Sequence, residues 1–329
     1  MPLPKIIRHC GVWTLSPNCA RLVGIMKHVL SVQQFTDKAL LGELFESAAR
    51  FQAMKPSEYP DLLKHKTLAT IFYEPSTRTR LSFETAIQNL GGNVITTENA
   101  GEFSSAIKGE SLEDTIRVIN AYTDGIVLRH PDAGAAERAA AVSNAPIINA
   151  GDGASEHPTQ ALLDVYSIHQ AKGKIDGLKI ALVGDLLYGR TVHSLIPLLA
   201  LYNVEFYMVA PPDLQMPREY LEQLDKHSVP YKLMENWQDV IGSIDIIYMT
   251  RIQKERFKSE EQYQALKDSF ILTMADVKQM KQDAIILHPL PRVNEIAPEV
   301  DSDPRARYFE QVKNGLFLRM ALLDKIYRP

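Results

Sequence analysis

From about residue 38 onward, the apolar residues follow two alternating patterns. Short runs rich in β-branched and aromatic residues are typical of buried strands, and they alternate with stretches in which apolar residues recur at helical spacing. Two series of strands are predicted: residues 67–73, 93–97, 125–130 and 146–150 form the first, and residues 179–185, 205–210, 244–250 and 284–289 form the second. Such alternation indicates parallel sheets with helices on both faces.

Helical patterns lie between these strands. One begins in the polar cluster after the first strand and ends before Gly91, and others are predicted at residues 111–122, 133–142, 158–173 and 308–327. We therefore predict an α/β protein with two doubly wound parallel-sheet domains and an active site in the cleft between them. The candidate domain junction is the interval between the two series of strands, near residues 171–177. The last helix is amphipathic and could pack on either domain. The first domain is assigned residues 26–157 together with 308–329, and the second is assigned residues 158–307.

Composition and charge narrow the classes of function. The sequence is 45% apolar and 23% charged, as in an ordinary globular protein, and no apolar run approaches the roughly 18 residues of a membrane span. The net charge of −4 provides no general basic field, so neither a nucleic acid nor a membrane is expected as a partner. Cys10 and Cys19 are too few for a disulfide framework and wrongly spaced for zinc, so we expect a cytoplasmic protein without a metal site.

The first 25 residues differ from the rest of the chain. No acidic residue precedes Asp37, and no apolar core of a secretory signal is present. We interpret residues 1–25 as a poorly ordered extension. A transit peptide and a true start at Met26 are the two alternatives.

Arginine, histidine or proline-rich loops follow six of the predicted strands. In open parallel sheets, ligands bind beyond the carboxyl ends of the strands. A single arginine at such a place is more often a surface residue, but several on the same edge of two sheets indicate a site for a polyanion between the domains. For Arg80, Lys254 and Arg292 a solvated surface role stays open, and Arg80 could instead pair with an acid such as Glu74 or Glu84. The strand-end residues are residues 76–80, Arg129, His157, Gln160, Arg190, Arg251, Gln253 and residues 288–292.

The cluster at residues 76–80, Ser-Thr-Arg-Thr-Arg, has two interpretations. Ser76 could simply cap a helix whose early arginines are solvated. However, a positive side chain in the first helical turn opposes the helix dipole by roughly 0.3–1 kcal/mol. A bound dianion would neutralise Arg78 and Arg80, and unpaired amides at a helix N-terminus favour such an ion. We therefore favour a phosphate-binding function.

Other motifs are weaker or absent. His157 and Gln160 are three residues apart at a helix start marked by Pro158, which fits either a ligand site or a capped helix with a chance histidine. Gly184 and Gly189 lack the spacing of a dinucleotide fingerprint, and no P-loop sequence occurs. Because no nucleophile motif is present either, we expect direct transfer between two bound substrates, without a covalent enzyme intermediate. No cofactor is expected.

Taken together, seven motifs resemble the catalytic chains of the aspartate carbamoyltransferase family. The resemblance extends in order from about residue 26 to the C-terminus. The motifs are STRTR, SSAIKGES, VLRHP, GDGASEHPTQALLD, GDLLYGRTVHSL, YMTRIQKER and HPLPRVNEI.

The resemblance implies a role for each strand-end residue. It implies that residues 26–157 with 308–329 bind carbamoyl phosphate and that residues 158–307 bind aspartate. The carbamoyl-phosphate group would comprise Ser76, Thr77, Arg78, Thr79, Ser104, Lys108, Arg129, His157, Gln160, Leu290 and Pro291. Aspartate would contact Lys108, Arg190, Arg251 and Gln253. The residues expected to act in catalysis are Arg78, Thr79, Lys108, Arg129 and His157.

The resemblance also implies an assembly. Ser104 and Lys108 would enter the site of a neighbouring subunit, so the active unit would be a homotrimer with shared sites. Regulatory chains or a dihydroorotase as further partners stay open.

Substrate choice separates this family from ornithine carbamoyltransferases. Those relatives have a cysteine in an H-C-L-P loop and an S-M-G loop toward the ornithine amine. Here Pro289 stands at the cysteine position, and Arg251 would repel a cationic side chain while attracting a carboxylate. The expected reaction is carbamoyl transfer from carbamoyl phosphate to the amine of L-aspartate, giving N-carbamoyl-L-aspartate and phosphate in de novo pyrimidine (UMP) biosynthesis. A non-catalytic homologue that scaffolds another pyrimidine enzyme is the alternative of a different class.

Overall fold

The computed structural model describes residues 26–103, 105–153, 155–252 and 259–328. Its strands are β1 (Thr67–Phe72), β2 (Asn93–Glu98), β3 (Gly125–His130), β4 (Ile147–Asp152), β5 (Lys179–Val183), β6 (Glu205–Val209), β7 (Tyr231–Met234), β8 (Ile246–Met249) and β9 (Ile285–Leu287). Its α-helices are α1 (Lys38–Ala53), α2 (Thr77–Asn89), α3 (Ala100–Phe103), α4 (Leu112–Asn120), α5 (Ala135–Val142), α6 (Pro158–Lys172), α7 (Arg190–Leu199), α8 (Arg218–Lys226), α9 (Glu260–Leu266), α10 (Met274–Val277) and α11 (Tyr308–Tyr327). The prediction that residues 1–25 form a poorly ordered extension lies outside the described residues.

The nine strands form two separate sheets, and every pairing is parallel. The first sheet has the order β2-β1-β3-β4, and the second has the order β7-β6-β5-β8-β9. In both sheets the chain reverses direction along the order of strands, which is the topology of a doubly wound fold. The predicted fold of two parallel α/β sheets is therefore confirmed.

All eight predicted strands are present, and one strand was missed. β7 is only four residues long and lies at the edge of the second sheet, where Lys232 and Leu233 are exposed. An exposed edge strand lacks the apolar run that identifies the central strands, such as β5, in which all four residues from Ile180 to Val183 are buried. The sequence pattern therefore gave too little signal to predict β7.

Two long helices occupy the space between the sheets. Every residue of α6 from Pro158 to Ile168 is buried, as expected for a helix that is covered on all sides. The predicted helix at 308–327 matches α11, which packs on α1, α2 and α6 and also contacts β9. Buried residues from both sheets, including Val127 and Leu182, belong to one hydrophobic cluster. The two sheets therefore share one hydrophobic interior.

The segment before α1 is attached to the loop that leads into α6. Val29 pairs with Ile148 beside β4, and the Glu156 carboxylate accepts hydrogen bonds from the Ser31 hydroxyl at 2.9 Å and the Val32 amide at 2.8 Å. The start of the described chain therefore supports the backbone around His157. Among the helices of the described ranges, each is too short or too polar to span a membrane.

Candidate active site

The polar cluster after β1 lies at the N-terminus of α2, as predicted. Ser76 is the N-cap residue, but its side chain makes no capping hydrogen bond. Its hydroxyl instead accepts a hydrogen bond from Arg129 Nη1 at 3.3 Å. The interpretation of Ser76 as a simple helix cap is therefore wrong, because the hydroxyl is used to join the ends of β1 and β3.

Three arginines from three strand ends influence one another. Burial lowers the pKa of Arg78, and repulsion from Arg129 and Arg251 lowers it further. Burial also lowers the pKa of Arg129, which Glu74 partly offsets. The Arg78 and Arg129 guanidinium groups stay charged, since arginine begins far above neutral pH. The cleft therefore concentrates positive charge in a protein whose net charge is negative.

Glu74 is the acid that lies among these arginines. One of its carboxylate oxygens, Oε2, is 3.2 Å from Arg129 Nε and 3.7 Å from Arg190 Nη2. Arg129 is on β3 of the first sheet, whereas Arg190 begins α7, which follows β5 of the second sheet. Glu74 thus connects the two halves of the cleft.

Arg190 fits closely against the loop after β4. Its Nη1 donates a hydrogen bond to the Gly153 carbonyl. Gly151 has a φ of +117°, and a Cβ atom at that position would come within 3.3 Å of the Arg190 guanidinium. The backbone conformation favours glycine there, and a side chain would also press on the Arg190 guanidinium.

His157 and Gln160 start α6, with Pro158 at the first helical position as predicted. The His157 amide donates to Ser194 Oγ at 2.9 Å, and burial with repulsion from Arg190 and Arg129 holds the His157 pKa well below its ordinary value. Its imidazole is therefore neutral at physiological pH. Within the described part of the chain, buried Nδ1 of His157 has no hydrogen-bond partner.

Residues after β9 complete the cleft. His288 Nε2 lies 2.7 Å from Glu295 Oε1, while His288 Nδ1 accepts a hydrogen bond from the Leu290 amide at 2.7 Å. Leu290 has a φ of +52°, and the Leu290–Pro291 peptide bond is cis. A small cavity lies next to this loop and is lined by, among others, Arg78, Thr79, Gln160, His288 and Arg319.

Some predicted site residues are not brought into the cleft. Lys108, on the short 3₁₀ segment Ser105–Lys108, is exposed, and no hydrogen bond or ion pair of its side chain occurs among the described residues. Ser104 and Gln253 lie outside the described residues, as does Lys254. Thr77 and Pro291 are exposed at the rim.

The role of Arg80, which stayed open in the sequence analysis, follows from its ion pairs. Its guanidinium lies 3.0 Å from both Glu84 and Glu98. Glu98 also accepts a hydrogen bond from the Ser76 amide at 3.3 Å. Arg80 therefore stabilises the cluster at residues 76–80 through ion pairs with these two acids. Arg292 forms an ion pair with Asp301.

No candidate metal centre is apparent in the described residues, because no three side chains of histidine, cysteine, aspartate and glutamate lie close enough together.

Two family profiles cover nearly the whole chain. The carbamoyl-phosphate-binding domain of aspartate/ornithine carbamoyltransferases matches residues 27–170, and the aspartate/ornithine-binding domain matches residues 176–326. The chain belongs to the aspartate/ornithine carbamoyltransferase family.

Named relatives of this carbamoyltransferase are similar over most of its length. The aspartate carbamoyltransferase catalytic subunit of Vibrio cholerae is 50% identical over 90% of this chain and 95% of its own. The chloroplastic aspartate carbamoyltransferase 1 of Pisum sativum is 48% identical over 95% of this chain and 83% of its own. The multifunctional protein pyr1-3 of Dictyostelium discoideum is 50% identical over 92% of this chain, which spans only 13% of that protein.

Solved structures agree with this family assignment. The aspartate transcarbamoylase catalytic subunit of M. jannaschii has a TM-score of 0.84 and 48% identity, covering 92% of this chain and 98% of its own. The Trypanosoma cruzi aspartate transcarbamoylase in complex with carbamoyl phosphate and aspartate has a TM-score of 0.86 and 41% identity, covering 91% of this chain and 96% of its own.

Sequence reasoning missed Glu74 as a site residue. It was considered only as a partner of Arg80, although it follows β1 directly and so satisfies the strand-end rule. Glu74 lies among cations in the folded protein but not along the sequence, so no local sequence pattern indicates its role. Ser194 was missed for the same reason, since its contact with His157 joins α7 to α6.

Proposed function

We propose that this carbamoyltransferase is an aspartate carbamoyltransferase. It transfers the carbamoyl group of carbamoyl phosphate to the amine of L-aspartate and releases N-carbamoyl-L-aspartate and phosphate, an early step of de novo pyrimidine biosynthesis. The observation that carries this proposal is the convergence of Arg78, Arg129 and Arg251 from three strand ends, with Arg190 joined to them through Glu74. Two anionic substrates require such a concentration of positive charge.

The phosphate would bind at the N-terminus of α2. Ser76, Thr77 and Thr79 offer hydroxyl groups there, and Arg78 offers a guanidinium. Helix amides and the helix dipole favour a dianion at the same place. Lys108, together with Ser104, would reach this phosphate from a neighbouring subunit.

The carbamoyl end would contact the groups around α6. Neutral His157 and charged Arg129 would donate to the carbonyl oxygen as it gains negative charge, with Thr79 beside them. Removing one such donor typically costs about 3–4 kcal/mol of transition-state stabilisation. Gln160 and the backbone of Leu290 and Pro291 would accept hydrogen bonds from the carbamoyl amine.

The acceptor would be a dicarboxylate. Arg190 and Arg251 lie at the ends of the second sheet, where Lys108 and Gln253 are expected to assist. A cationic acceptor such as ornithine would be repelled by this charge, since like charges in a partly buried cleft interact strongly.

The chemical step is a direct displacement. The neutral amine of aspartate attacks the carbamoyl carbon, forming the C–N bond, and the C–O bond to phosphate breaks with its electron pair leaving on the phosphate oxygen. The amine proton passes to the departing phosphate. Orientation of the two substrates can supply roughly 7–11 kcal/mol toward this step.

We also propose a cytoplasmic homotrimer in which residues 26–157 with 308–329 and residues 158–307 act as the two substrate-binding domains. Exposed apolar residues support burial of the first-sheet surface in an assembly: Ile107 adjoins Lys108, and Leu81 and Ile95 lie on α2 and edge strand β2. Regulatory chains or a dihydroorotase would be additional partners.

The function is tested by assaying product formation from carbamoyl phosphate with aspartate or ornithine at equal concentration. We expect N-carbamoyl-L-aspartate and essentially no citrulline. Preferential use of ornithine would contradict the acceptor assignment, and binding of both substrates without turnover would favour a non-catalytic scaffold.

A further inference from the structure

Asp164 is a fully buried acid on α6, one helical turn after Gln160. Its Oδ1 accepts hydrogen bonds from Gln160 Nε2 at 2.8 Å and Gln311 Nε2 at 2.6 Å, and its Oδ2 accepts one from the Tyr248 hydroxyl at 2.6 Å. The three donors come from α6, α11 and β8. One carboxylate therefore joins three elements that meet at the cleft.

This arrangement decides which way the Gln160 amide points. An ionised carboxylate only accepts hydrogen bonds, so the amide nitrogen of Gln160 must face Asp164. The amide oxygen is then the end of the side chain that remains for a ligand. Gln160 lines the same small cavity as Arg78 and Thr79, so this oxygen is an acceptor beside the proposed phosphate site.

The orientation of the Gln311 side-chain amide is fixed as well, here by the contact that its oxygen makes. Its Oε1 accepts a hydrogen bond from the His288 amide at 3.0 Å, which again leaves its nitrogen for Asp164. His288 begins the loop that includes Leu290. Asp164 thus supports both Gln160 and the backbone that would contact the same end of the substrate.

A second buried charge accompanies Asp164. Arg319 on α11 is 3% exposed, lies 4.9 Å above the Phe83 ring, and lines the same cavity. Burial lowers the Arg319 pKa to about 10, and the charge of Asp164 opposes that decrease. Burial raises the Asp164 pKa to about 7, while its three hydrogen-bond donors and Arg319 act in the opposite direction.

We propose that Asp164 is a positioning residue for recognition of the carbamoyl amine. By holding the nitrogen of Gln160, it turns the Gln160 oxygen toward the N–H groups of the substrate, and through Gln311 it holds the loop at His288. This inference rests on the proposed function, because it assigns the acceptors to the amine of carbamoyl phosphate.

Leucine at position 164 would remove both acceptor oxygens while keeping a branched side chain of similar size. The Gln160 nitrogen is then left in the interior without an acceptor, and an unpaired buried donor is costly. The Gln160 amide is therefore expected to reverse and present its nitrogen to the substrate amine, so that two donors face each other. Asparagine would not serve, because its oxygen could still accept from both glutamines while its nitrogen faces the Tyr248 hydroxyl.

The test compares two stable ligands that differ only at this end. Phosphonoacetamide carries an amide NH₂ group, and 2-oxopropylphosphonate carries a methyl group in its place. Dissociation constants are measured by calorimetry at pH 8, above the Asp164 pKa, for the wild type, D164L and Y248F. We expect D164L to weaken phosphonoacetamide binding about 10- to 100-fold and to change binding of the methyl ketone less than about threefold.

Y248F is the matched control. Tyr248 bonds only Oδ2, so Gln160 and Gln311 keep their partner in this variant, and the preference for the amide ligand is expected to persist. Should D164L fail to fold because Arg319 is left as an uncompensated buried charge, the double variant D164L/R319M removes both charges and carries the same comparison.

Equal weakening of both ligands in D164L would overturn the proposal, because that result indicates a purely structural role. An unchanged preference for the amide would overturn it as well. If the wild type itself shows no amide preference and forms no carbamoyl aspartate, the proposed function fails instead. The two failures are therefore distinguishable.

Discussion

Arg190 Nη2 lies 3.7 Å from Glu74 Oε2, so an ion pair crosses the cleft between the segment after β1 and the start of α7. Glu74 also holds Arg129. We expect Glu74→Gln to lower kcat about 10- to 100-fold, because the groups from the two sheets lose their common alignment. Affinity for inorganic phosphate is expected to stay the same or rise, since a negative charge leaves the cleft.

Steady-state kinetics and phosphate calorimetry measure these two effects separately. Glu43→Gln is the matched control, because Glu43 pairs with Lys325 in an exposed ion pair, and such pairs contribute little. A Glu74→Gln enzyme with unchanged kcat would contradict the bridging role.

Replacing Arg78 or Arg251 by alanine is expected to change different kinetic parameters. Arg78→Ala removes a group proposed to stabilise the leaving phosphate, so kcat is expected to fall by more than about 100-fold. Arg251→Ala removes a charged partner of the acceptor carboxylate, so the KM for aspartate is expected to rise about 10- to 100-fold with phosphate affinity retained. If Arg251→Ala leaves both aspartate parameters unchanged, the carboxylate assignment is wrong.

Shared sites predict complementation between inactive subunits. In a mixture of Arg78→Ala and Lys108→Ala trimers that exchange subunits, a site with both residues intact forms wherever a Lys108→Ala subunit supplies Arg78 and its neighbour supplies Lys108. Random exchange in equal amounts gives about one quarter of the wild-type sites. Each variant taken alone through the same exchange is the control, and no recovered activity would indicate self-contained sites.

Because His193 is buried, we expect the protein to lose folding stability at acidic pH. Its Nε2 donates to the Leu186 carbonyl at 2.8 Å, its ring stacks on Tyr220, and burial lowers its pKa to about 4. A folded-state pKa below the unfolded value of about 6.5 favours the neutral form, so this contribution is present above pH 6.5 and is lost as the pH falls toward 4.

We therefore expect His193→Gln to reduce the decrease in unfolding free energy between pH 7 and pH 4 by up to about 3 kcal/mol. Urea titrations at several pH values measure this. The exposed His227→Gln variant is expected to follow the wild-type profile, and an unchanged pH dependence in His193→Gln would contradict the assignment.

The sequence was most informative where periodicity and burial coincide. Central strands such as β5 are apolar on both faces, so their positions could be predicted, and parallel connectivity then placed Arg78, Arg129 and His157 at carboxyl ends. The rule that ligands bind beyond the carboxyl ends of parallel strands needs no side-chain geometry. It could therefore identify the cluster at residues 76–80 from the sequence.

Pairings between distant side chains could not be predicted in this way. The sequence allowed Arg80 to pair with Glu74 or Glu84, and only the packing of β2 beside β1 adds Glu98 and leaves Glu74 to Arg129. Asp164 gave no signal either, because its donors Tyr248 and Gln311 are 84 and 147 residues away. Such contacts depend on how three elements meet.

The position of α11 has a consequence for synthesis of the chain. This helix buries residues from Tyr308 to Ile326 and packs on α1 and α2, and α2 contacts β1 and β2 of the first sheet. It leaves the ribosome after all nine strands have been made. Domains generally fold as units while the chain emerges, but here the first sheet must wait for α11 to cover its helices. The nascent chain therefore exposes apolar surface until the residues of α11 have been made, and it is at this stage that a chaperone would bind.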